Sequence, residues 1–392
     1  MAGYVMTLSK DNLNEILREC ITNGRYSTNF NEPTSNQTLR IIEATFADYF
    51  TMKPNDNIYF FCERQIYGIG KIIEINNECK FLNYIGADTV QGLTQEEFER
   101  TEHLLPNSNA TNRCFCVFEG DPHFFIQGID MDEALVSNPP AFRMLRAMQQ
   151  VSFIKLDDIE NQALNDIIIK KNENYLTQDD SSNDDNNDNR NNGRYNISDS
   201  FLESLRQTYL DDYVLRYNDL VNDLIESNGS LRHEMALEAT LCDVLTRRDD
   251  TIFGHWDYIS RQVVASPFKP VNYMDRIDIF GYRYIPDYNV KSKYLIIELK
   301  KGVAKPDVIG QVMKYVDWVK EEYAHGDYSM IEAYVVAHGF RPEVFNAKNE
   351  YAVRNYIQGY RPISSCVWDN LRLIKYNFVD GQLTLEEAEA NE

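Results

Sequence analysis

The sequence predicts a mixed α/β protein with two principal domains, and three observations lead to this fold class. Two strand-like runs, 276–282 and 294–300, precede a helical pattern at 308–323. Further strand-like runs lie between 53 and 126, with helical patterns before and after them. The run 178–193 contains no apolar residue and separates the two regions, which is typical of a linker.

Length and cysteine content limit the class of protein. The 392 residues are enough for two or three domains, each with its own core. There is no N-terminal signal peptide and no apolar run of about twenty residues, so we expect a cytoplasmic protein that does not span a membrane. Cys114-x-Cys116 lacks the second pair of a structural zinc site, so we interpret the seven cysteines as reduced core thiols.

The first fifty residues predict two helices. Ser9 is a plausible N-cap for the first, and the second follows a loop rich in Asn, Ser and Thr. Their apolar faces consist of Leu13, Ile16, Leu17 and Ile21 in the first helix and Leu39, Ile42, Phe46 and Phe50 in the second.

From 53 to 88 the apolar period changes to that of strands. Gly68 and Gly70 are tolerated where backbones approach closely, so this part predicts a small β-barrel-like structure. We predict strands in this half of the chain at 57–61, 67–73, 114–118, 124–126 and 151–154.

Helical patterns complete an N-terminal α+β domain, residues 1–171. They lie at 133–135, 142–148 and 158–172. The acidic cluster Asp130-Met131-Asp132-Glu133 opens the first of them. Because acids in a first helical turn are ordinary partners of the helix dipole, we expect no metal there.

Residues 172–197 predict a disordered acidic linker, since the segment has too few apolar residues to offset the entropy of ordering it. Residues 198–228 predict one long helix with apolar residues at mostly helical spacing. Such a helix covers the next domain or joins subunits, so we expect a homo-oligomer, either a dimer or a tetramer. The acidic tail occupies 381–392.

The C-terminal domain, 229–380, opens with a strong helix. Glu234 and Glu238 lie one turn apart on one face of it. The predicted elements that follow are a strand at 262–265, the runs 276–282 and 294–300, the helix 308–323, and strands at 331–337 and 371–378.

Three charged side chains stand out in the two apolar runs. Side chains alternate between the faces of a strand, so Glu298 and Lys300 point the same way. Turn residues between the runs predict a long hairpin that brings Asp278 beside Glu298. Such charges are costly to bury unless they are paired or bind a metal, and two adjacent carboxylates suit Mg²⁺. The alternative is a surface hairpin with an ordinary Glu–Lys pair.

These residues resemble the motif of the PD-(D/E)xK, or restriction-endonuclease-like, nuclease superfamily. The likeness rests on Asp278, on Glu298-x-Lys300 and on Gln311 and Tyr315 of the following helix. It covers most of the C-terminal domain. The proline that precedes the first acid in the family is absent here, and the helix is similar to that of RecB-type and mismatch-endonuclease-type members.

The resemblance implies a restriction-endonuclease-like mixed sheet flanked by helices, and Mg²⁺-dependent hydrolysis of DNA phosphodiester bonds. Mn²⁺ is expected to substitute for Mg²⁺. Asp278 and Glu298 would be the metal ligands, and Lys300 would lie next to the attacking water.

Supporting residues are also implied. The superfamily usually supplies a glutamate from a helix behind the metal, and we favour Glu238 over Glu234 for it. Gln311 would approach the scissile phosphate or the metal-bound waters. His233 and His255 are candidate general bases, although the fold does not need a histidine at this place.

The net charge of −22 is unfavourable for binding DNA, because its phosphates are neutralised by cations. The acidic excess is not uniform, however. Basic and acidic residues are about equal in number between 229 and 380, roughly twenty of each. Bound metal would add positive charge, so this domain can still hold DNA, and Arg341 is a candidate phosphate contact.

The whole chain resembles the Shedu-type anti-phage nucleases, in which a sensor-like module precedes the nuclease. The segment 53–88 resembles the opening hairpin of EVE/PUA-like modules, which hold a modified or flipped base. We therefore expect an endonuclease of prokaryotic defence whose N-terminal domain gates cleavage. The alternatives are a mismatch or repair endonuclease and a non-catalytic protein that binds DNA or a modified base.

Overall fold

The computed structural model divides the chain into two compact units. Unit 1 consists of Met1–Pro33 and Met52–Leu215, and unit 2 of Thr34–Thr51 and Arg216–Glu392. The residues that the structure describes are 1–8, 13–87, 92–147, 152–176, 193–247, 250–267, 273–359 and 361–390. The predicted N-cap Ser9 and most of the predicted linker, 177–192, lie outside these residues.

Unit 1 is built on a mixed eight-stranded sheet that curls into a half-barrel, as the sequence predicted. Its strands are β1 (Gly3–Thr7), β2 (Arg25–Asn29), β3 (Asn57–Cys62), β4 (Gln65–Ile72), β5 (Lys80–Leu82), β6 (Asn112–Gly120), β7 (Ile129–Asp130) and β8 (Phe153–Leu156). The order is β2-β6-β4-β3-β1-β8, with β5 on β6 and β7 on β4. β1 and β3 are parallel and the other pairs are antiparallel.

Helices pack on this sheet around an aromatic core. They are α1 (Leu13–Thr22), α3 (Gln95–Glu99), α4 (Met131–Ser137), α5 (Met144–Ala147), α6 (Asp158–Lys171), α7 (Glu173–Leu176) and α8 (Ser200–Arg206). Phe60 lies at the centre of the core, with its ring within 6 Å of the rings of Tyr26, Phe118 and Phe124. Burial of such large rings is the main favourable term for this unit.

Four short strands of unit 1 were not predicted: β1, β2, β5 and β7. β1 and β2 occupy a region that we had assigned to helices and a polar loop. β1 is only five residues long and is buried between β3 and β8, so it lacks the alternating pattern of a half-exposed strand. The predicted strand at 124–126 is not formed: among the described residues, Phe125 makes an isolated bridge with Arg194 and belongs to no strand.

The predicted long helix at 198–228 is also wrong. The segment contains α8, a 3₁₀ turn at Asp211–Tyr213, α9 (Tyr217–Val221) and a 3₁₀ turn at Asn222–Leu224. Asp and Asn are frequent after Leu210, and their side chains compete for backbone hydrogen bonds and favour caps and turns. The expected oligomer therefore loses the helix on which it was based, and it stays a prediction.

Unit 2 is built on a six-stranded mixed sheet with the order β16-β15-β12-β11-β10-β9. Its strands are β9 (Tyr258–Val264), β10 (Arg276–Tyr284), β11 (Lys291–Ala304), β12 (Ile331–Phe340), β15 (Leu371–Val379) and β16 (Gln382–Glu387). β9, β10 and β11 are antiparallel, β11, β12 and β15 are parallel, and β16 is antiparallel to β15. A separate hairpin joins β13 (Arg354–Gln358) to β14 (Ser364–Trp368).

The helices of unit 2 are α2 (Asn36–Phe50), α9, α10 (Glu234–Arg247), α11 (Asp307–Glu322) and α12 (Pro342–Tyr351). α10 packs against α2 and β9, and α11 packs against β11 and β12. Strand β11 is central, and its run Leu295-Ile296-Ile297 is fully buried, as expected. The prediction of a mixed α/β class is confirmed.

Two elements of unit 2 differ from the sequence-based domain boundaries. α2 was assigned to the N-terminal domain 1–171, but its apolar face packs within unit 2, on α10. The acidic tail 381–392 contains the edge strand β16, in which Leu383 and Leu385 are half-buried and alternate with exposed residues. Exposed acids on an edge strand hinder pairing with another chain, which explains the composition of the tail.

The cysteines and the helices agree with two simpler expectations. None of the seven cysteines is in a disulfide bond, and five of them are buried. Among the described residues, every helix is too short or too polar to cross a bilayer.

Candidate active site

The β10–β11 hairpin brings the predicted acids together. The two strands are in antiparallel register up to the pair Ile279–Ile297, and Asp278 and Glu298 follow as the next residues. Oδ2 of Asp278 accepts a hydrogen bond of 2.8 Å from the backbone N–H of Leu299. Asp278 therefore lies against β11, next to the Glu298-x-Lys300 segment.

Glu298 and Lys300 form a close ion pair. Nζ of Lys300 is 2.6 Å from Oε1 of Glu298. Glu298 is only 1% exposed, and its other oxygen, Oε2, is buried without a hydrogen-bond partner. An unsatisfied buried polar atom costs about 1–3 kcal/mol, and more when it is charged. The site thus contains an oxygen that lacks a donor or a cation.

Electrostatic strain between the two carboxylates follows from their burial. Burial raises the pKa of Asp278, and the charge of Glu238 raises it further, while the Leu299 N–H opposes the shift. Burial also raises the pKa of Glu298, the charge of Asp278 adds to this, and Lys300 opposes it. Each acid disfavours the ionised form of the other, so a divalent cation would relieve both at once.

Lys300 keeps its charge. Burial alone would lower the pKa of its ammonium, but contact with Glu298 and the charges of Glu234 and Asp278 outweigh burial and raise the pKa. The lysine is about one-third exposed. It is therefore a charged group that reaches from solvent into the carboxylate cluster.

Glu238 of α10 joins this cluster through a third strand. Its Oε1 accepts a hydrogen bond of 2.5 Å from Nε of Arg261, and its Oε2 accepts one of 2.9 Å from Nε2 of Gln262. The same Gln262 nitrogen is 3.2 Å from Oδ1 of Asp278. One amide of β9 thus connects the helix glutamate to the hairpin aspartate.

Gln262 has an unusual backbone conformation. Its φ is +52°, in the left-handed region that a residue other than glycine rarely adopts. The β9–β10 register pairs Val263 with Ile277 and Arg261 with Ile279, so Gln262 lies opposite Asp278. Such conformations cost on the order of 1–3 kcal/mol and concentrate at functional sites.

Glu234 and Gln311 lie at the margin of the cluster formed by Asp278, Glu298 and Lys300. Glu234 is exposed, and its Oε2 accepts a hydrogen bond of 3.2 Å from the N–H of Lys301. Nε2 of Gln311 is 3.1 Å from the Tyr315 hydroxyl. Among the described residues, no hydrogen bond links Gln311 to Asp278 or Glu298. Tyr315 is buried, as expected for a packing residue.

The two candidate histidines have other partners. Nδ1 of His233 is 2.8 Å from Oε1 of Glu43, and both side chains are buried. Nε2 of His255 is 3.2 Å from Asp257, and His255 is largely exposed. Neither ring is hydrogen-bonded to Asp278 or Glu298.

The acids near 130 act as helix partners, as the sequence indicated. Asp130 is the N-cap of α4, and its side chain accepts a hydrogen bond from the N–H of Asp132. Arg64 pairs with Asp132, and Lys171 pairs with Glu133.

Three residues of the cluster were missed by the sequence analysis: Asp48, Arg261 and Gln262. Arg261 is hydrogen-bonded to Glu238, and its Nη1 lies 3.3 Å from Oδ1 of Asp48 on α2. The only signal in the sequence was Gln262, a polar residue at the start of the predicted strand 262–265, with Arg261 directly before it. The contact with Asp48 joins residues 213 positions apart, which periodicity does not predict.

The donor set fits Mg²⁺ better than a softer metal. Asp278 and Glu298 are the two carboxylates available, and Glu298 has an oxygen without a partner. Within the described ranges, no group of three or more His, Cys, Asp or Glu side chains is arranged to hold a metal ion. Mg²⁺ is often bound by one or two carboxylates together with waters and substrate phosphates, so two acids are sufficient.

Comparisons with known proteins identify no family. No protein-family model matches the chain, and no curated protein matches it. Among solved structures, the chain is similar to a repair endonuclease from Pyrococcus abyssi, with 23% identity over 23% of this chain and 33% of that chain. The match thus spans about a third of that protein, and its TM-score of 0.17 is too low to support an inference about fold or function. The residues of the site define a buried acidic cluster with a lysine in a mixed α/β unit.

Proposed function

We propose that this chain is a Mg²⁺-dependent endonuclease that hydrolyses phosphodiester bonds of DNA. The observation that carries the proposal is the buried Oε2 of Glu298, which has no hydrogen-bond partner and lies on the strand next to Asp278, with Lys300 beside it. Oε2 of Glu43 and Oε2 of Glu160 are unsatisfied in the same way, so the argument depends on the combination at Glu298: an unsatisfied oxygen, a second acid on the neighbouring strand and a charged lysine. The PD-(D/E)xK resemblance of the same three residues supports the assignment.

Each residue has a role that follows from its position. Asp278 and Glu298 would hold the metal through their carboxylate oxygens. A bound Mg²⁺ would lower the pKa of a coordinated water and stabilise the negative charge that develops at the phosphorus. Lys300 is charged and partly exposed, so its ammonium would leave Glu298 and contact the attacking water or a phosphate oxygen.

Two further side chains would support the reaction. Glu238 is held by Arg261 and Gln262 with both oxygens occupied, so we assign it to orienting the site rather than to binding metal. The amide of Gln311 would turn from Tyr315 toward a bound phosphate.

We also propose that the cleavage serves prokaryotic anti-phage defence. Support comes from the resemblance to Shedu-type nucleases and from the presence of a second compact unit that does not contain the cluster. In this proposal unit 1 gates the cleavage and the protein acts as a homo-oligomer. The repair role is the alternative, because the resemblance to mismatch endonucleases covers only the C-terminal domain, 229–380.

A cleavage assay tests the enzymatic proposal. Purified protein is incubated with supercoiled plasmid, linear duplex and single-stranded DNA in Mg²⁺, in Mn²⁺ and in EDTA. We expect cutting in either metal and none in EDTA. Retention of DNA in a gel without cutting in any metal would instead favour a non-catalytic DNA-binding protein.

Lys300→Ala tests the site. We expect it to lower cleavage by about 10²–10⁴-fold, because a positioned group that acts on the attacking water contributes this much. Lys305→Ala removes an exposed lysine just beyond β11 and serves as the matched control, which should cut like the wild type. Equal activity of the two variants would refute the assignment of Lys300.

A further inference from the structure

A chain of polar contacts extends from Asp278 to helix α2. Gln262 connects Asp278 to Glu238, and Arg261 connects Glu238 to Asp48. The distances along the chain are 3.2 Å, 2.9 Å, 2.5 Å and 3.3 Å. All five residues belong to unit 2, although Asp48 precedes most of unit 1 in the sequence.

The guanidinium of Arg261 holds the middle of this chain. Its side chain is 13% exposed, and it lies between the carboxylates of Glu238 and Asp48. Burial would lower the pKa of Arg261, but the charges of Glu238 and Asp48 outweigh this and raise it. The rigid fork of the guanidinium can hold two carboxylates at fixed angles, which a lysine cannot do.

Glu238 in turn fixes the amide of Gln262. The Gln262 side chain donates from one nitrogen to both Glu238 and Asp278. Without a fixed acceptor at Glu238, this amide is free to rotate and present its oxygen to Asp278. The orientation of Glu238 therefore determines whether Asp278 keeps a hydrogen-bond donor at Oδ1.

A second contact holds α2 independently of Asp48. Glu43 lies on the same helix and pairs with the buried His233 at 2.8 Å. The apolar residues Ile42, Phe46 and Phe50 of α2 are also buried. Loss of Asp48 alone would therefore leave α2 in place, because its side chain is partly exposed and the rest of the helix face remains.

We propose that Asp48 and Arg261 are positioning residues of the cleavage site, which act through Glu238 and Gln262 on the metal ligand Asp278. This inference rests on the proposed function of the same cluster. It assigns a role in catalysis to a helix that lies more than two hundred residues before the carboxylates in the sequence.

The test compares two acids of α2, Asp48→Asn and Glu43→Gln, in the full-length protein. For Asp48→Asn we expect a loss of about 10- to 100-fold in Mn²⁺ affinity and in kcat on supercoiled plasmid, because partners behind a metal ligand have effects of this size. The KM for plasmid and the thermal midpoint in EDTA should stay unchanged. Glu43→Gln should lower the midpoint and leave kcat and Mn²⁺ affinity as in the wild type.

A double-variant cycle separates positioning from a general effect on packing. In the background of Glu238→Gln, we expect Asp48→Asn to cause no further loss, since both act at successive points of one chain. Arg261→Lys is the second single variant, and it should reduce Mn²⁺ affinity although it keeps the charge. Additive losses, or wild-type Mn²⁺ affinity in Asp48→Asn and Arg261→Lys, would overturn the proposal.

The two proposals fail in different ways. If the wild type cuts no DNA, the proposed function fails. Calorimetric titration can still compare the Mn²⁺ affinity of the wild type with that of Asp48→Asn and so measure the effect of Asp48 on Asp278. If the wild type cuts and Asp48→Asn cuts equally well with equal Mn²⁺ affinity, only the positioning role fails.

Discussion

Glu298 is the residue on which the proposed site depends most. One of its oxygens is satisfied by Lys300, and the other is buried with no donor. The nearby Asp278 is half-buried, so the two negative charges destabilise the folded protein unless a cation lies between them. A ligand that binds only the folded state stabilises it by RT ln(1 + [L]/Kd), where [L] is the free ligand concentration.

We therefore predict that Mg²⁺ stabilises the protein against heat. At ten times its Kd the metal should add about 1.4 kcal/mol to the free energy of unfolding of unit 2, which corresponds to a rise of a few degrees in the thermal midpoint. Differential scanning calorimetry with Mg²⁺ and with EDTA measures the rise. In Asp278→Asn the rise should vanish. A rise of the same size in Asp278→Asn would show that Mg²⁺ binds elsewhere.

A second buried acid gives a prediction about pH in unit 1. Glu160 of α6 is 1% exposed, and its Oε1 accepts hydrogen bonds from the N–H groups of Arg143, Met144 and Leu145. Burial raises the pKa of Glu160 to about 8, the charge of Asp157 adds to this, and the three N–H groups oppose it.

The sign of the effect follows from proton binding. Between the unfolded pKa of about 4.5 and the folded pKa of about 8, folded Glu160 binds more protons than unfolded Glu160. The stability of unit 1 should thus fall as the pH rises through this window. Urea unfolding at pH 5 and pH 9 measures it. In Glu160→Gln the difference between the two pH values should shrink, and an unchanged difference would contradict the prediction.

At the scale of the residue, the sequence predicted which side chains meet within one hairpin. Asp278, Glu298 and Lys300 lie together because alternation and turn residues determine which side chains meet across two strands. Gln262 and Arg261 were missed because their roles depend on a left-handed backbone angle and on contacts with α10 and α2. Neither feature leaves a periodic trace in the sequence.

Strand β10 shows how an element is adapted to its neighbours. Gly281 lies in the middle of β10, between β9 and β11. A Cβ at this position would lie 2.7 Å from the carbonyl oxygen of Tyr258, which is closer than real contacts allow. The glycine therefore permits the close pairing of the strands that carry Gln262 and Asp278.

Two glycine variants should have opposite effects. Gly281→Ala should destabilise the protein by about 1–3 kcal/mol, because the backbone of β9 must move. Gly310→Ala places its Cβ in open space on α11 and should stabilise by up to about 1 kcal/mol, because alanine is the better helix former. Chemical denaturation of both variants measures the difference. Equal effects would refute the packing argument.

At the scale of the element, most of unit 2 followed from the sequence. The hairpin, α11 and the parallel strands β12 and β15 were predicted because each has a clear apolar period. The error at 198–228 has a physical reason. Apolar residues recur there at roughly helical spacing, but the Asp and Asn residues between them favour turns. The apolar period alone does not show which of these two preferences is stronger.

At the scale of the whole molecule, the membership of the two compact units was not predicted. The segment 34–51 belongs to unit 2, while the segments on both sides of it in the sequence belong to unit 1. A helix with an apolar face must pack somewhere, but its sequence does not specify which sheet or helix receives it. A C-terminal fragment defined from the predicted linker would thus lack α2.

Deletion of residues 1–195 should therefore destabilise unit 2. The fragment loses the buried side chains of Ile42, Phe46 and Phe50, each worth about 1.5–3 kcal/mol, as well as the Glu43 and Asp48 contacts. We expect a lower thermal midpoint that a synthetic peptide of residues 34–51 raises again.

A peptide with both Glu43→Gln and Asp48→Asn is the matched control and should restore less. A deletion fragment that melts like unit 2 of the intact chain would contradict the assignment of α2. The same result bears on the gating proposal, because altered cutting by such a fragment would reflect the missing helix as well as the missing unit 1.

The placement of α2 also affects how the protein is made. The ribosome synthesises residue 51 well before residue 216, and at about 5–20 residues per second the 164 residues between them take roughly 8–33 s. During this interval the apolar face of α2 has not yet met α10, against which it packs in the folded protein. Translation rate and chaperone supply are thus expected to influence the yield of folded protein. An expression host that translates the same mRNA more slowly should produce more aggregate.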